Sequence, residues 1–286
     1  MITYREARKQ AAVLLKEAKI ENETAESGFL MEYALDVNRN FYLMHQMDEM
    51  PEAQQEAYFS LVKRRCQRIP LQYLTGEQEF MGLPFLVNEH VLIPRQDTEL
   101  LVEHALDLLK QMQQENISPE VLDLCTGSGC IAVSLKHDLP EISVTASDIS
   151  GDSLDVAQEN GRRNGVEIQW ILSDLFEQID GPFDMIVSNP PYIPSAVIPT
   201  LMPEVKDHEP LRALDGDDDG LLFYRRIVTQ SADYLKQNGY LLFEIGFDQG
   251  SAVAEMMNKN GFTDINIIPD LAGLDRVVIG RRTEHV

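Results

Sequence analysis

From Ile93 onward the chain repeats one rhythm, in which a short apolar run gives way to a turn and then to an amphipathic stretch. No other feature limits the fold as strongly. The runs VLDLC (121–125), ISVTAS (142–147), IQWIL (168–172), FDMIVS (183–188), GYLLFEIG (239–246) and RVVIG (276–280) are rich in aliphatic residues, as strands covered on both faces must be. Between them, stretches such as 151–164 and 219–237 have helical period. This alternation predicts an α/β fold with a doubly wound, mainly parallel, Rossmann-like sheet. Ligands of such sheets sit beyond the carboxyl ends of the strands, so the residues that follow each strand are the candidates for function.

The first part of the chain has a different pattern. Residues 1–75 read as a small all-α domain, with Ala7, Ala11, Leu14, Leu15 and Ala18 on one helix face and Phe29, Leu30, Tyr33 and Ala34 on another. Pro51 suits the first turn of a further helix running to Cys66. The segment FMGLPFLV (80–87), apolar with a Gly/Pro centre, predicts a β-hairpin within a 76–95 linker, which leaves 96–286 as the α/β domain. The N-terminal stretch has no uninterrupted apolar run of signal-peptide type, and no later segment has the apolar length to span a bilayer. The three cysteines, Cys66, Cys125 and Cys130, have no zinc-type spacing to histidine, so no metal is expected and a reducing cytoplasm fits. Asn116-Ile117-Ser118 is a formal glycosylation sequon, without consequence in that compartment.

The first strand runs into Cys125-Thr126-Gly127-Ser128-Gly129 and then a helix beginning near Cys130. Glycines there let the backbone approach a ligand, and the helix N-terminus offers unpaired N–H groups, so a nucleotide-like ligand is expected. Read with Ala132 as its last position, the same stretch also matches the looser dinucleotide fingerprint, and by itself it does not separate NAD from S-adenosylmethionine. Asp148, at the end of the second strand, can accept both hydroxyls of a ribose, or can cap the next helix. Asp174-Leu175, after the third, can offer an adenine a polar edge and an apolar wall, with capping by Asp174 as the alternative.

The fourth strand ends in Asn189-Pro190-Pro191-Tyr192. Proline fixes its own φ and pushes the residue before it toward extended geometry, so this stretch is stiff. The nitrogen of a planar amide or aromatic amine has its lone pair tied up in conjugation. Methylating it requires acceptors for both N–H bonds and the lone pair turned toward the methyl donor. The Asn189 Oδ1 and the Pro190 carbonyl can be those acceptors, held in place by the diproline, with Tyr192 packed against the planar group to exclude water.

With these residues the chain resembles class I S-adenosylmethionine-dependent methyltransferases with an NPPY motif. More closely it resembles the protein-(glutamine-N5) methyltransferases of peptide-chain release factors, the PrmC/HemK family. The resemblance covers almost the whole chain through PLQYLTG (70–76), FMGLPF (80–85), VLIPRQDTELLV (91–102), DLCTGSGCIA (123–132), SDIS (147–150), SNPPYIP (188–194), DGLLFYR (219–225), FEIGFDQG (243–250) and DLAGLDRVV (270–278). It implies that Cys125 to Gly129, Asp148, Asp174-Leu175 and Asn189 contact S-adenosylmethionine, with S-adenosylhomocysteine as product. It further implies that Asn189 to Tyr192 hold the glutamine of a Gly-Gly-Gln loop and that the helical domain helps dock the release factor. Gln96 and Cys125 depart from the family pattern, which usually has proline and glycine at these positions.

An adenine-N6 methyltransferase poses the same chemical problem and is the alternative. A net charge of −23 and only short basic clusters, Lys63-Arg64-Arg65 and Arg225-Arg226, weigh against direct nucleic-acid binding. A dehydrogenase on the same fold is disfavoured because no hydride-transfer acid/base pair is in evidence. Asp215 to Gly220 imitates an EF-hand start, but Arg226 occupies its twelfth position, so helix capping by these carboxylates is the expectation. Arg95 is left between holding a substrate carbonyl and pairing with Asp97 or Glu99, and Glu244 between a supporting role at the site and a buried-edge role.

Overall fold

Thr3 opens the first helix with a reciprocal cap: its hydroxyl accepts from the Glu6 N–H at 3.2 Å, and the Glu6 carboxylate accepts from the Thr3 N–H at 2.8 Å. The structure, a computed structural model, describes residues 2–115 and 117–283, so Asn116 of the sequon lies outside the described residues. The chain divides into two units, Met1–Glu77 with Met202–His208, and Gln78–Leu201 with Glu209–Val286.

In the first unit, helices α1 (Tyr4–Glu17), α2 (Glu23–Leu35), α3 (Arg39–His45), α4 (Glu52–Cys66) and α5 (Leu71–Thr75) surround one core. The buried stripe of α1 is Tyr4, Ala7, Ala11 and Leu15, while Leu14 faces solvent. On α2 the buried face differs from the sequence expectation: Leu30 is buried, but Phe29 and Tyr33 are 55% and 51% exposed. Small residues take their place. A Cβ on Gly28 would lie 2.9 Å from the Arg8 guanidinium, and the Ser27 carbonyl accepts from the buried Tyr58 hydroxyl at 2.8 Å. Close approach outweighs apolar bulk at this crossing.

In the second unit a hairpin, β1 (Glu77–Phe80) and β2 (Leu83–Leu86), brings Phe80 and Phe85 edge to face at 5.9 Å. The elements that follow in order are α6 (Gln96–Gln114), β3 (Glu120–Leu124), α7 (Cys130–Asp138), β4 (Ser143–Asp148), α8 (Gly151–Arg163), β5 (Gln169–Leu172) and β6 (Phe183–Ser188). Then come α9 (Pro203–Lys206, part of the helical unit), α10 (Leu222–Tyr234), β7 (Leu235–Glu244), α11 (Gly250–Lys259), β8 (Phe262–Pro269) and β9 (Asp275–Arg282). The seven-stranded sheet has the order β5-β4-β3-β6-β7-β9-β8, parallel from β5 to β7 and antiparallel at β9 and β8. Along β3, Val121 enters one core with α6 and α7, while Leu122 and Leu124 enter the other with α10 and α11, as a sheet covered on both faces requires. Chain order reverses at β3, between β4 and β6, which opens a crevice beyond the ends of those strands. Gln96, where the family pattern usually has proline, is the first residue of α6.

Strand β8 was not expected from the sequence. It is a sheet-edge strand in which only Phe262 is buried, so it lacks the apolar run that marked the other strands.

Glu204 of α9 completes an ion cluster inside the helical unit. Arg65 donates to Glu26 at 2.6 Å and to Glu204 at 2.9 Å, and Arg68 donates to the other Glu204 oxygen. Arg65→Ala would leave Glu26 without its arginine and Glu204 with Arg68 alone. We expect it to destabilise the chain by roughly 2–3 kcal/mol, near the lower edge for breaking a buried pair, with no rescue by Arg65→Lys, which lacks the fork geometry. Urea denaturation of the three proteins checks this, and a Lys variant as stable as the parent would refute it.

Candidate active site

Beyond β3 the backbone turns sharply through left-handed conformations, with φ of 61° at Cys125, 55° at Gly127 and 79° at Gly129. A Cβ on Gly129 would lie 3.1 Å from the Ala157 Cβ and the Trp170 ring, so this glycine also permits close packing of the loop on α8 and β5. The loop is pinned from below by Asp123, which is fully buried and accepts from the Thr126 hydroxyl at 2.5 Å and the Ala132 N–H at 3.2 Å. Burial pushes its carboxyl up to about 7, against those hydrogen bonds. The folded chain therefore keeps a proton on Asp123 up to about pH 7 that the unfolded chain releases near 3.8, so stability falls as pH rises through that window. Asp123→Asn should flatten the fall of Tm with pH between 3.8 and about 7, and an unchanged slope would refute the assignment.

Asp148 ties two strand ends together. One oxygen accepts from the Gly127 N–H and the other from the Ser150 N–H, each at 2.9 Å. Asp174 does not cap: it pairs with Arg226 of α10 at 2.9 Å. Leu175 is buried beside it with φ 51°. The Ser188 hydroxyl donates to the Leu124 carbonyl at 2.7 Å and locks the end of β6 to that of β3. This sets Asn189 beside the glycine turn.

These strand ends enclose a cavity of about 430 Å³, within the range of small-molecule sites. Of the residues singled out in the sequence, Cys125, Thr126, Gly127, Ser128, Asp148, Asp174, Leu175, Asn189 and Pro191 line it. Gly129, Pro190 and Tyr192 do not; Pro190 is buried, and Tyr192 lies behind the wall with its hydroxyl 3.3 Å from the Glu244 carboxylate. Burial pushes the Cys125 thiol up, so this departure from glycine adds a neutral group to the lining.

Several lining residues were not assigned from sequence. Thr98, in the first turn of α6, is buried, lines the cavity and contacts both Asn189 and Glu244. Phe223 and Arg226 of α10 and Arg212 also line it. The sequence gives no sign that Thr98, one polar residue among several at this helix start, is the buried one. Arg95 lines the cavity too, but pairs with Glu209 and not with Asp97 or Glu99; Asp97 lies 3.4 Å from Arg276, and Glu99 accepts from the Met81 N–H at 2.7 Å. The carboxylates of 215–219 brace their own turn more than they cap α10: Asp215 accepts from the Ser195 hydroxyl and the Asp217 N–H, and Asp219 from the Leu221 N–H and Arg225.

Two family models match separate parts of the chain. The family described as PrmC N-terminal domain matches residues 6–76, and the methyltransferase small domain matches residues 100–200. The fold resembles that of a methyltransferase from Pyrococcus furiosus, with TM-score 0.52 over 78% of this chain and 99% of that one; at 15% identity this likeness concerns the fold alone. In sequence the chain is similar to the release factor glutamine methyltransferase of Geobacter sulfurreducens, 43% identical over 93% of this chain and 92% of that protein. It is likewise similar to those of Fusobacterium nucleatum (40% identical, 94% of this chain and 76% of that protein) and Moorella thermoacetica (40%, 99% and 100%). Relatives that share two residues in five along nearly its entire length, beside a helical and a methyltransferase region each matched in its own place, make this chain a member of the release factor glutamine methyltransferase family.

Proposed function

We propose that the chain transfers a methyl group from S-adenosylmethionine to the side-chain amide N5 of the glutamine in the Gly-Gly-Gln loop of peptide-chain release factors, leaving S-adenosylhomocysteine. The observation that carries this reading is the placing of Asn189 on the cavity wall, with its amide nitrogen 3.3 Å from the Thr98 hydroxyl and its oxygen accepting no hydrogen bond among the described residues.

The lining fits S-adenosylmethionine. Asp148 is a carboxylate at the strand end where ribose hydroxyls need acceptors, Leu175 and Phe223 offer an apolar wall for a base, and the carboxylates of Asp215 and Asp217 suit a cationic group. When bound, the sulfonium supplies an electrophilic methyl group. The chain's part is positional. Oδ1 of Asn189 and the Pro190 carbonyl accept the two N–H bonds of the substrate amide, the diproline keeps both from relaxing away, and Tyr192 stiffens the loop from behind. Cys125 to Gly129 approach the cofactor with backbone, and no metal takes part.

The helical unit helps to dock the release factor. Phe29 and Tyr33, one turn apart on α2, remain more than half exposed and supply an apolar face for a partner. For the alternative substrate, an adenine in nucleic acid, three of the five residues of the basic clusters, Arg65, Arg225 and Arg226, are engaged by carboxylates of this chain, which leaves Lys63 and Arg64 as a small basic patch. No helix among the described residues is long and apolar enough to cross a membrane, and a partner in translation termination puts the reaction in the cytoplasm.

The test is mass spectrometry of purified release factor after incubation with this chain and S-adenosylmethionine, beside a release factor whose loop glutamine is alanine. One added methyl on that glutamine, absent in the control, is expected. Label in nucleic acid and none on the protein would overturn the substrate assignment.

A further inference from the structure

Behind Asn189 lies a buried chain of hydrogen bonds with a fixed direction. Glu244, at the end of β7, is 1% exposed, and its Oε2 lies 2.5 Å from the Thr98 hydroxyl. An ionised carboxylate only accepts, so the single hydroxyl proton of Thr98 is committed to it. Thr98 can then only accept from its other neighbour, the Asn189 side-chain amide at 3.3 Å. Of the two ends of an amide only the NH2 donates, so Oδ1 is left on the opposite edge. The second oxygen of Glu244 accepts from the Tyr192 hydroxyl at 3.3 Å, so one carboxylate braces the motif at both its first and its last residue. Burial pushes the Glu244 carboxyl above its ordinary value, while the Thr98 hydroxyl, the positive charge of Arg276 (held by Asp270 at 3.2 Å) and the Tyr192 hydroxyl all favour its ionised form.

We propose that Glu244 and Thr98 are positioning residues which, through the donor–acceptor order Asn189 to Thr98 to Glu244, fix the Asn189 amide with its oxygen toward the substrate. The inference rests on the reading of Asn189 as an acceptor for the substrate NH2. An unbraced Asn189 rotates by half a turn at little cost in shape and then presents a donor where the substrate also has donors. The site keeps its form and loses its polarity.

Thr98→Val keeps the volume and removes the hydroxyl, while Thr98→Ser keeps the hydroxyl. For Thr98→Val, kcat on release factor should fall about ten- to a hundredfold, the scale of losing the support of a reacting group, with the Kd for S-adenosylmethionine within about twofold of the parent. Thr98→Ser should restore at least half of kcat. A Val variant with parental kcat, or a Ser variant as slow as the Val variant, would overturn the proposal. A second readout does not depend on the reaction. The side-chain 15N–1H2 pair of Asn189, assigned by its loss in Asn189→Ala, should exchange slowly with solvent in the parent and the Ser variant and fast in the Val variant. Equal exchange in all three would also refute the proposed order. A parent that shows slow exchange but no methyl on the release factor would retire the functional reading and leave the polarity of the chain intact.

Discussion

Asn189→Ala is expected to lower turnover on release factor by about ten- to a thousandfold while the chain binds S-adenosylmethionine nearly as well as before. The range is that for losing one preorganised polar partner of a reacting group. The alanine variant has no side-chain acceptor for the substrate NH2 and leaves the amide free to rotate away from in-line geometry. Cofactor affinity should hold, because the glycine turn and Asp148 are positioned by contacts that do not pass through Asn189: Asp123 to Thr126 and Ala132, and Asp148 to Gly127 and Ser150. Single-turnover kinetics with isothermal titration of the cofactor separate the two effects, and an alanine variant with parental turnover would remove Asn189 from the mechanism.

Gly220→Ala should cost about 4 kcal/mol of stability and silence the enzyme. Gly220 has φ 73°, where an alanine pays roughly 1–2 kcal/mol. Its Cβ would also collide with the Tyr192 carbonyl oxygen and lie 2.7 Å from the Gln249 amide nitrogen, and a forced backbone shift adds roughly 1–3 kcal/mol. Gln249 donates to the carbonyls of both Tyr192 and Gly220, so the substitution pries open the clamp that holds the NPPY loop. Gly273 is the control, because at φ 80° it has nothing within 4 Å of an added Cβ and should cost only the conformational part. Equal urea midpoints for the two variants would show that the loop is not clamped there.

The parts of this design legible in the sequence were those in which neighbouring residues determine the geometry. The diproline stiffens Asn189 through its own bonds, the glycines of 127–129 mark a turn wherever the chain carries them, and strands buried on both faces identify themselves by composition. Contacts between distant residues leave no such mark. Thr98 and Glu244 are 146 positions apart, and Arg95 and Glu209 are 114 apart, so no periodicity links them, and Arg95 was matched instead to its sequence neighbours. On α2 the expectation failed because apolar character was taken for burial, whereas the helix meets Arg8 of α1 at Gly28 and Tyr58 of α4 at Ser27.

The ion cluster of the helical unit also bears on how the protein is made. Arg65 leaves the ribosome long before Glu204, its partner 139 positions later, and at about 5–20 residues per second the wait is roughly 7–30 s. During that time Arg65 has Glu26 for company, while Arg68 has only backbone carbonyls of residues 18 and 19. The unit that emerges first therefore waits for its last piece until residues 78–201 of the other unit have been made. Its final piece arrives inside the stretch that also carries the NPPY loop, so the nascent chain cannot complete its N-terminal part until most of the catalytic part has been translated.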